Sequence, residues 1–385
     1  MDFTLSQSQY EFRDEVRAFL RGDEIQSELA KIAEYAPREE PNPIEIYRAL
    51  GKRRWLSPAW PVEYGGMGAS LVESAIVAEE LCWQGVPDIM HVVSVDIVGL
   101  FLSLAGTPEQ KARFLPGIAA GEHTVCVLYS EPGVGSDLSG VRSRAERVAG
   151  GYRIYGTKLY SLRTAEADYG LCIARLDDAE PGGQDGLTLM LVPMSEPGLV
   201  VHPLYSIADE RFGRVELDGV LVPDENVLGA PGDGWRLLTG ALALERTGLE
   251  SASKTRRWLD LLVERARENG RADDPEVAST LAELDIDVEA GRLLAWRVIG
   301  SLADGELDNT AASISKLYSS ELAKRLVAAG VLVDGLDAAL SRWSVDSPSG
   351  GFTDWLAREA PGVTISAGTS EIMRYVVAST GLKAV

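Results

Sequence analysis

Thr124-Val125-Cys126-Val127-Leu128-Tyr129 runs directly into Ser130-Glu131-Pro132-Gly133-Val134-Gly135-Ser136-Asp137, and the change of pattern across this stretch decides the fold. The first six residues alternate like a strand. The next eight hold a proline and two glycines, which force a tight path at the strand end. Upstream, the pattern is helical. Phe12, Val16, Phe19 and Leu20 recur at helical spacing behind Ser6-Gln7-Ser8-Gln9, a helix-start signal. Residues 44–50, 70–83 and 89–104 read as further helices. Pro108 opens another at its first turn, which Gly117 and Gly121 are expected to close. Residues 37–43 and 58–69 are breaker-rich connections. Downstream, residues 141–148 and 152–157 flank Ala149-Gly150-Gly151 as a hairpin. Strands follow at 169–174, 187–192, 199–202 and 214–222. Helical periodicity resumes at Gly234 and holds to the end, with breaks at Glu268-Asn269-Gly270 and at 344–351. The expected class is α+β: an N-terminal helical domain (1–122), a middle β-sheet domain (123–233) and a C-terminal four-helix bundle (234–385).

Composition narrows the function. The chain has 385 residues, 45% hydrophobic and 25% charged, as ordinary globular proteins do. A net charge of −21 argues against nucleic acid or an anionic membrane surface as partner. No apolar run approaches the roughly 20 residues of a membrane helix. Cys82, Cys126 and Cys172 are scattered among apolar neighbours, and the three histidines stand apart, so no metal site is expected. The N-terminus has neither a charged leader nor an apolar core segment, and a reduced, cytoplasmic location is the default.

One carboxylate stands out. Leu237 to Arg246 reads as a helix, and Leu238, Ala241, Leu242, Glu245 and Leu249 share a face at helical spacing. Glu245 thus replaces a leucine within an apolar stripe. Desolvating an ionised carboxylate costs several kcal/mol, so such a group has a partner or a raised pKa. A carboxylate of raised pKa suits proton removal from carbon. The plainer alternative is a structural ion pair with an arginine of a facing helix.

The 130–137 loop offers backbone N–H groups and two hydroxyls at a strand end, which suits a flavin edge or a pyrophosphate. By itself, a glycine-rich loop of this kind is also an ordinary turn. In combination with four other blocks, the sequence resembles the acyl-CoA dehydrogenase family of flavoproteins. Those blocks are Gly156-Thr157-Lys158-Leu159-Tyr160, the run from Leu221 to Trp235, Gly368-Thr369-Ser370-Glu371-Ile372-Met373-Arg374, and the N-terminal Tyr64-Gly65-Gly66-Met67-Gly68 with Gly106 to Lys111. The resemblance covers nearly the whole chain.

It implies FAD as cofactor and an acyl thioester, on CoA or a carrier protein, as substrate. The backbone at Val127 and Tyr129, with Ser130, would contact the flavin ring. Ser136 would lie near the FAD pyrophosphate and the thioester, and Tyr160 near the flavin. Thr369 and Glu371 would approach FAD from the C-terminal domain, with Gly368 beside the substrate. Many members carry a Glu just before the C-terminal Gly-Thr, but this chain has Ala367. Alanine cannot take a proton, yet its backbone N–H can still hold the thioester carbonyl, a form of oxyanion stabilisation. A minority of members place the base directly before an arginine on the first helix after the β-domain, and Glu245-Arg246 match that pattern. Arg246 would then orient the carboxylate or the acyl chain.

Two further departures bear on the cofactor. Leu162 stands where members often have a Thr that donates to the flavin, and Ser161 replaces it only if the strand slips by one residue, which would turn the side chain to the opposite face. The blocks through which a neighbouring subunit grips FAD are also eroded: none is visible between Trp258 and Pro275, and Leu332 to Asp337 lacks the usual glycines. In this the chain is similar to an actinobacterial branch in which two unlike subunits pair. The resemblance therefore implies a homo- or hetero-oligomer that passes electrons to an electron-transfer flavoprotein or to oxygen. The alternatives are a non-catalytic partner subunit, or a flavin oxidase or monooxygenase on the same fold.

Overall fold

The computed structural model describes residues 3–35, 41–179, 183–245 and 247–381, and of 242–245 and 349 the main chain alone. The helices before the sheet are α1 (Gln7–Leu20), α2 (Asp23–Ala33), α3 (Ile44–Gly51), α4 (Leu71–Gln84), α5 (Ile89–His91), α6 (Leu100–Ala105) and α7 (Pro108–Ala119), with π-helical turns over Val92–Gly99. The strands are β1 (Val125–Leu128), β2 (Arg144–Val148), β3 (Gly151–Leu162), β4 (Tyr169–Leu176), β5 (Leu187–Pro193), β6 (Leu199–Tyr205), β7 (Arg211–Pro223) and β8 (Val227–Leu228). Then come α8 (Gly234–Glu245), α9 (Leu249–Glu268), α10 (Pro275–Ala303), α11 (Asn309–Asp334), α12 (Phe352–Val363) and α13 (Ser370–Val376). The helix, sheet, helix order agrees with the expected class.

The chain forms two compact units. One comprises Gly22–Ser70 and Pro87–Glu245. Its strands run in the order β6-β7-β3-β2-β4-β5-β8, with β1 parallel to the first half of β4. The alternation of strand side chains explains its two cores. Leu171, Ile173, Leu189 and Leu191 pack with residues of α6, α7 and α8, while Cys172, Ala174, Met190 and Val192 pack with Val215, Val220 and Val222. The hairpin joining β2 to β3 turns at Gly150, whose φ of +80° is a glycine conformation. The two-residue β8, paired with β5, is too short to leave a periodic trace in the sequence.

Two helix boundaries differ from expectation. Gly117 does not end α7, which runs through it to Ala119. A Cβ there would sit 1.9 Å from the His123 ring, so this glycine makes room for histidine, and Gly121 (φ +69°) makes the turn. Second, Thr247 and Gly248 are not helical, and Gly248 (φ +78°) redirects the chain before Leu249 opens α9. The helical spacing that runs from Leu238 and Ala241 to Glu245 is therefore not continued to Leu249.

The other unit comprises Met1–Arg21, Leu71–Val86 and Arg246–Val385. Helices α9 to α12 share a core that includes Trp258, Leu262, Val288, Leu322, Leu326 and Leu356. Helix α1 begins with a capping box: Ser6 Oγ accepts from Gln9 N–H at 3.2 Å, and Gln9 Oε1 accepts from Ser6 N–H at 3.0 Å. Two carboxylates of α4, each under 2% exposed, knit the unit together. Arg17 of α1 pairs with Glu80 at 2.5 Å, and Arg292 of α10 pairs with Glu79 at 2.7 Å. Trp296 Nε1 adds a bond to Glu79 at 2.9 Å, and the Trp83 ring lies near both guanidinium groups. Among the described residues no helix is long and apolar enough to cross a membrane.

Candidate active site

The glycine-proline loop after β1 is built as a fixed frame. Glu131 and Val134 exchange both backbone hydrogen bonds at 2.9 Å across Pro132-Gly133. Proline supplies the negative φ and Gly133 (φ +80°) the positive one that this tight turn requires. A Cβ added at Gly133 or Gly135 would meet nothing within 4 Å, so the outer side of the loop is open. Ser136 is exposed there, Ser130 and Val127 are half-buried, and Tyr129 is buried.

Beneath the loop lies a sealed ion pair. Lys158 is 0% exposed, and its ammonium donates to Glu131 Oε1 at 2.7 Å, to Ile173 O at 2.7 Å and to Tyr129 O at 3.3 Å. All three ammonium donors are thereby used. Glu131 also accepts from the N–H groups of Arg142 (2.7 Å) and Ser143 (2.9 Å). Burial pushes the Glu131 carboxyl up, but the Lys158 ammonium and these donors outweigh it and hold the group below the usual carboxylate range. The pair joins β1, β3 and β4 under the loop and fixes its shape.

Tyr160 stands at a kink. Lys158 pairs with Val215 and Ser161 with Gly213, so three residues of β3 span two of β7, a bulge. Tyr160 has φ +59°, is 62% exposed, and meets Phe212 edge-on at 6.4 Å. Across this bulge the register against β7 shifts by one residue. Ser161 is buried, and among the described residues its hydroxyl has no hydrogen-bond partner. Cys126 and Cys172 are buried as packing residues, and burial pushes the Cys172 thiol up to about 11, which leaves it unreactive at neutral pH.

The C-terminal candidates belong to the other unit. Ala367 has φ +52°, which costs an L-residue roughly 1–2 kcal/mol, and Gly368 follows at φ +100°. Strain of this kind often marks functional backbone. Thr369 then caps α13, its hydroxyl accepting from Ile372 N–H at 3.2 Å. The turn is held from below by Lys316 of α11, which is 4% exposed and donates to Gly368 O at 2.8 Å and Val363 O at 3.3 Å. Ser370 Oγ donates to Glu321 at 2.5 Å. Glu371 is exposed and makes a long contact of 3.9 Å to Arg374. Thus Ala367, Gly368, Thr369 and Glu371 lie together in one turn and helix start, and Val127, Tyr129, Ser130, Ser136 and Tyr160 belong to the sheet unit. Glu245 is the last residue of α8; its side chain and the whole of Arg246 lie outside the described residues. The sequence reading missed the Glu131–Lys158 pair and Lys316. Lys316 had a signal: Ala312, Lys316, Ser319, Ala323 and Leu326 share a helical face, with a charge amid small and apolar residues.

Comparison with known proteins gives a consistent answer. Residues 6–122 match the acyl-CoA dehydrogenase N-terminal domain, 126–220 the middle domain and 232–382 the C-terminal domain. The acyl-CoA dehydrogenase IpdE1 of Mycobacterium tuberculosis is 31% identical over 383 residues, 96% of each chain. FadE34 of the same organism is 35% identical over 319 residues, which are 79% of this chain and 42% of that protein. A solved structure described as Tcur3481-Tcur3483 steroid ACAD superposes with a TM-score of 0.88 at 30% identity, covering 100% of this chain and 99% of that one. The ChsE4-ChsE5 complex from Mycobacterium tuberculosis gives a TM-score of 0.87 at 27% identity, with the same coverage. The chain belongs to the acyl-CoA dehydrogenase family of enzymes, lipid-metabolic oxidoreductases that in general depend on FAD.

Proposed function

We propose that the chain catalyses α,β-dehydrogenation of an acyl thioester, with Glu245 as the base. The observation that carries this reading is the strained Ala367-Gly368 turn, whose consecutive positive φ values set the main chain rather than a side chain. The Ala367 N–H would hold the thioester carbonyl, and the polarised carbonyl would acidify the α-carbon. Glu245 would take the α-proton, and Arg246 would orient the carboxylate or the acyl chain. Ser136 and Gly368 would line the thioester.

The residues fit FAD. Tyr160 offers an exposed ring fixed by the bulge, Ser161 a buried hydroxyl unpartnered among the described residues, and Gly133 and Gly135 open backbone for close approach. Val127, Tyr129, Ser130, Ser136 and Tyr160 would hold it from the sheet side, and Thr369 and Glu371 from the bundle side. When bound, FAD would supply the acceptor for the β-hydride. The electrons would then leave to an electron-transfer flavoprotein or to oxygen. The same proposal places domain boundaries at 122/123 and 233/234.

The resemblance to a steroid ACAD favours a bulky polycyclic acyl group. The described two-component neighbours favour an oligomer with a second copy or a related chain, and the exposure of Leu336, Val345, Ile365 and Tyr375 supplies apolar surface for it. The test is to purify the chain alone, record flavin absorbance near 450 nm and follow bleaching with a panel of acyl-CoAs, linear and polycyclic. Wild type bleaches, and Glu245→Gln lowers the rate by about 10³-fold. An unchanged mutant rate removes Glu245 as base. A colourless chain that gains flavin only with a related subunit establishes the partner-subunit reading instead. Oxygen consumption without any thioester establishes the oxidase or monooxygenase reading.

A further inference from the structure

We infer that Ser315 and Lys316 of α11 are positioning residues that hold two catalytic turns in register from one rigid helix. The inference rests on the roles proposed for Glu245 and Ala367. Lys316 donates to the carbonyl of Gly368 at 2.8 Å, as described, and to that of Val363, where α12 ends. Its chain neighbour Ser315, 0% exposed, donates to the carbonyl of Thr247 at 2.8 Å. Thr247 follows Glu245-Arg246 directly in the chain.

Adjacent residues on a helix point about 100° apart, so the two side chains reach two different segments. A serine within a helix commonly turns back to the carbonyl four residues before it, as Ser253 does to Leu249 at 2.8 Å. Ser315 reaches outward to a foreign turn instead. That turn is pressed against the helix: a Cβ on Gly248 would sit 2.4 Å from Ser315 Oγ, and Gly248 has φ +78°. At the other end, Ala367 and Gly368 hold consecutive positive φ values, and Lys316 grips the carbonyl of the second. Both turns thus take their position from residues 315–316 of a 26-residue helix whose inner face is buried. Catalytic geometry is sensitive at this scale, since a misplacement of about 1 Å can cost 10²-fold in rate.

The test compares full-length wild type, Ser315→Ala, Lys316→Met, Lys316→Arg and Glu245→Gln. Amide hydrogen exchange is read by mass spectrometry in the 247–250 and 364–370 segments. Binding of 4-(dimethylamino)cinnamoyl-CoA is read by its absorbance, which shifts to the red when the thioester carbonyl is polarised. We expect Lys316→Met to raise exchange at 364–370 by at least tenfold and abolish the red shift, and Lys316→Arg to restore part of the shift. Ser315→Ala should raise exchange at 247–250, keep the shift, and lower kcat 10- to 100-fold with KM changed less than threefold. A uniform rise of exchange across the bundle in both variants, or no change in either segment, overturns the inference, because the pair would then only pack. A full red shift in Lys316→Met overturns it too. Glu245→Gln separates the two readings: if it turns over normally, the base assignment falls while the exchange pattern still judges the clamp. A wild type that leaves the probe unshifted overturns the role of Ala367, and again the exchange pattern stands by itself.

Discussion

Two lysines are buried among the described residues, Lys158 in β3 and Lys316 in α11, and the hydrogen bonds described for them differ. Lys158 meets the carboxylate of Glu131 together with two carbonyls. Lys316 is hydrogen-bonded to two main-chain carbonyls at the end of α12 and in the following turn. A buried opposite charge makes each partner depend on the other, because removing one leaves the second uncompensated. Carbonyls are dipoles, and they can rotate or meet water when their donor goes. The sheet pair is therefore chiefly a matter of stability, and the bundle pin chiefly a matter of main-chain shape.

This contrast can be broken by measurement. Lys158→Met should give the largest loss, about 3–5 kcal/mol in denaturant unfolding, since it strands Glu131. Acid acts on the same pair. Glu131 has a lowered folded pKa, so its contribution is present above its unfolded value of about 4.3 and is lost as pH falls through the folded value. Unfolding midpoints between pH 5 and pH 3 should fall more steeply in wild type than in a Lys158→Met, Glu131→Leu double variant. Lys316→Met should cost less, about 1–3 kcal/mol from the two carbonyls that lose this donor. If it costs as much as Lys158→Met, the distinction fails. Ala367→Gly should stabilise by about 1 kcal/mol through relief of its left-handed φ, or by less if the added chain freedom offsets part of it, and thermal melting measures the sum. Glu371→Gln should change stability by less than about 0.5 kcal/mol, as its contact with Arg374 is long and exposed.

What the sequence disclosed follows from range. The loop at 130–137 was legible because proline and glycine act locally, and Gly133 adopts the φ that its neighbours imply. The hairpin at Gly150 and the cap at Ser6 are local in the same sense. The partner of Glu131 was not legible, because Lys158 lies 27 residues away and only sheet register brings them together. The helical face drawn through Glu245 runs too far when it takes in Leu249. An apolar stripe was continued across Arg246-Thr247-Gly248, where a left-handed glycine turns the chain. The same reasoning, applied to α11, would have found Lys316, where the helix does continue and the charge is buried. The bulge beside Ser161 depends on pairing with β7, which no local pattern in β3 announces.

The knot of charges on α4 has a consequence for the order in which the protein is made. Glu79 waits for Arg292, 213 residues later in the chain. At ribosomal speeds of about 5–20 residues per second, that is roughly 10–40 seconds. For that interval the newborn N-terminal helices carry one acidic group, Glu79, whose buried counter-charge is still to come, while Glu80 already has Arg17. A product truncated before Arg292 would keep the Arg17–Glu80 link and leave Glu79 without its counter-charge.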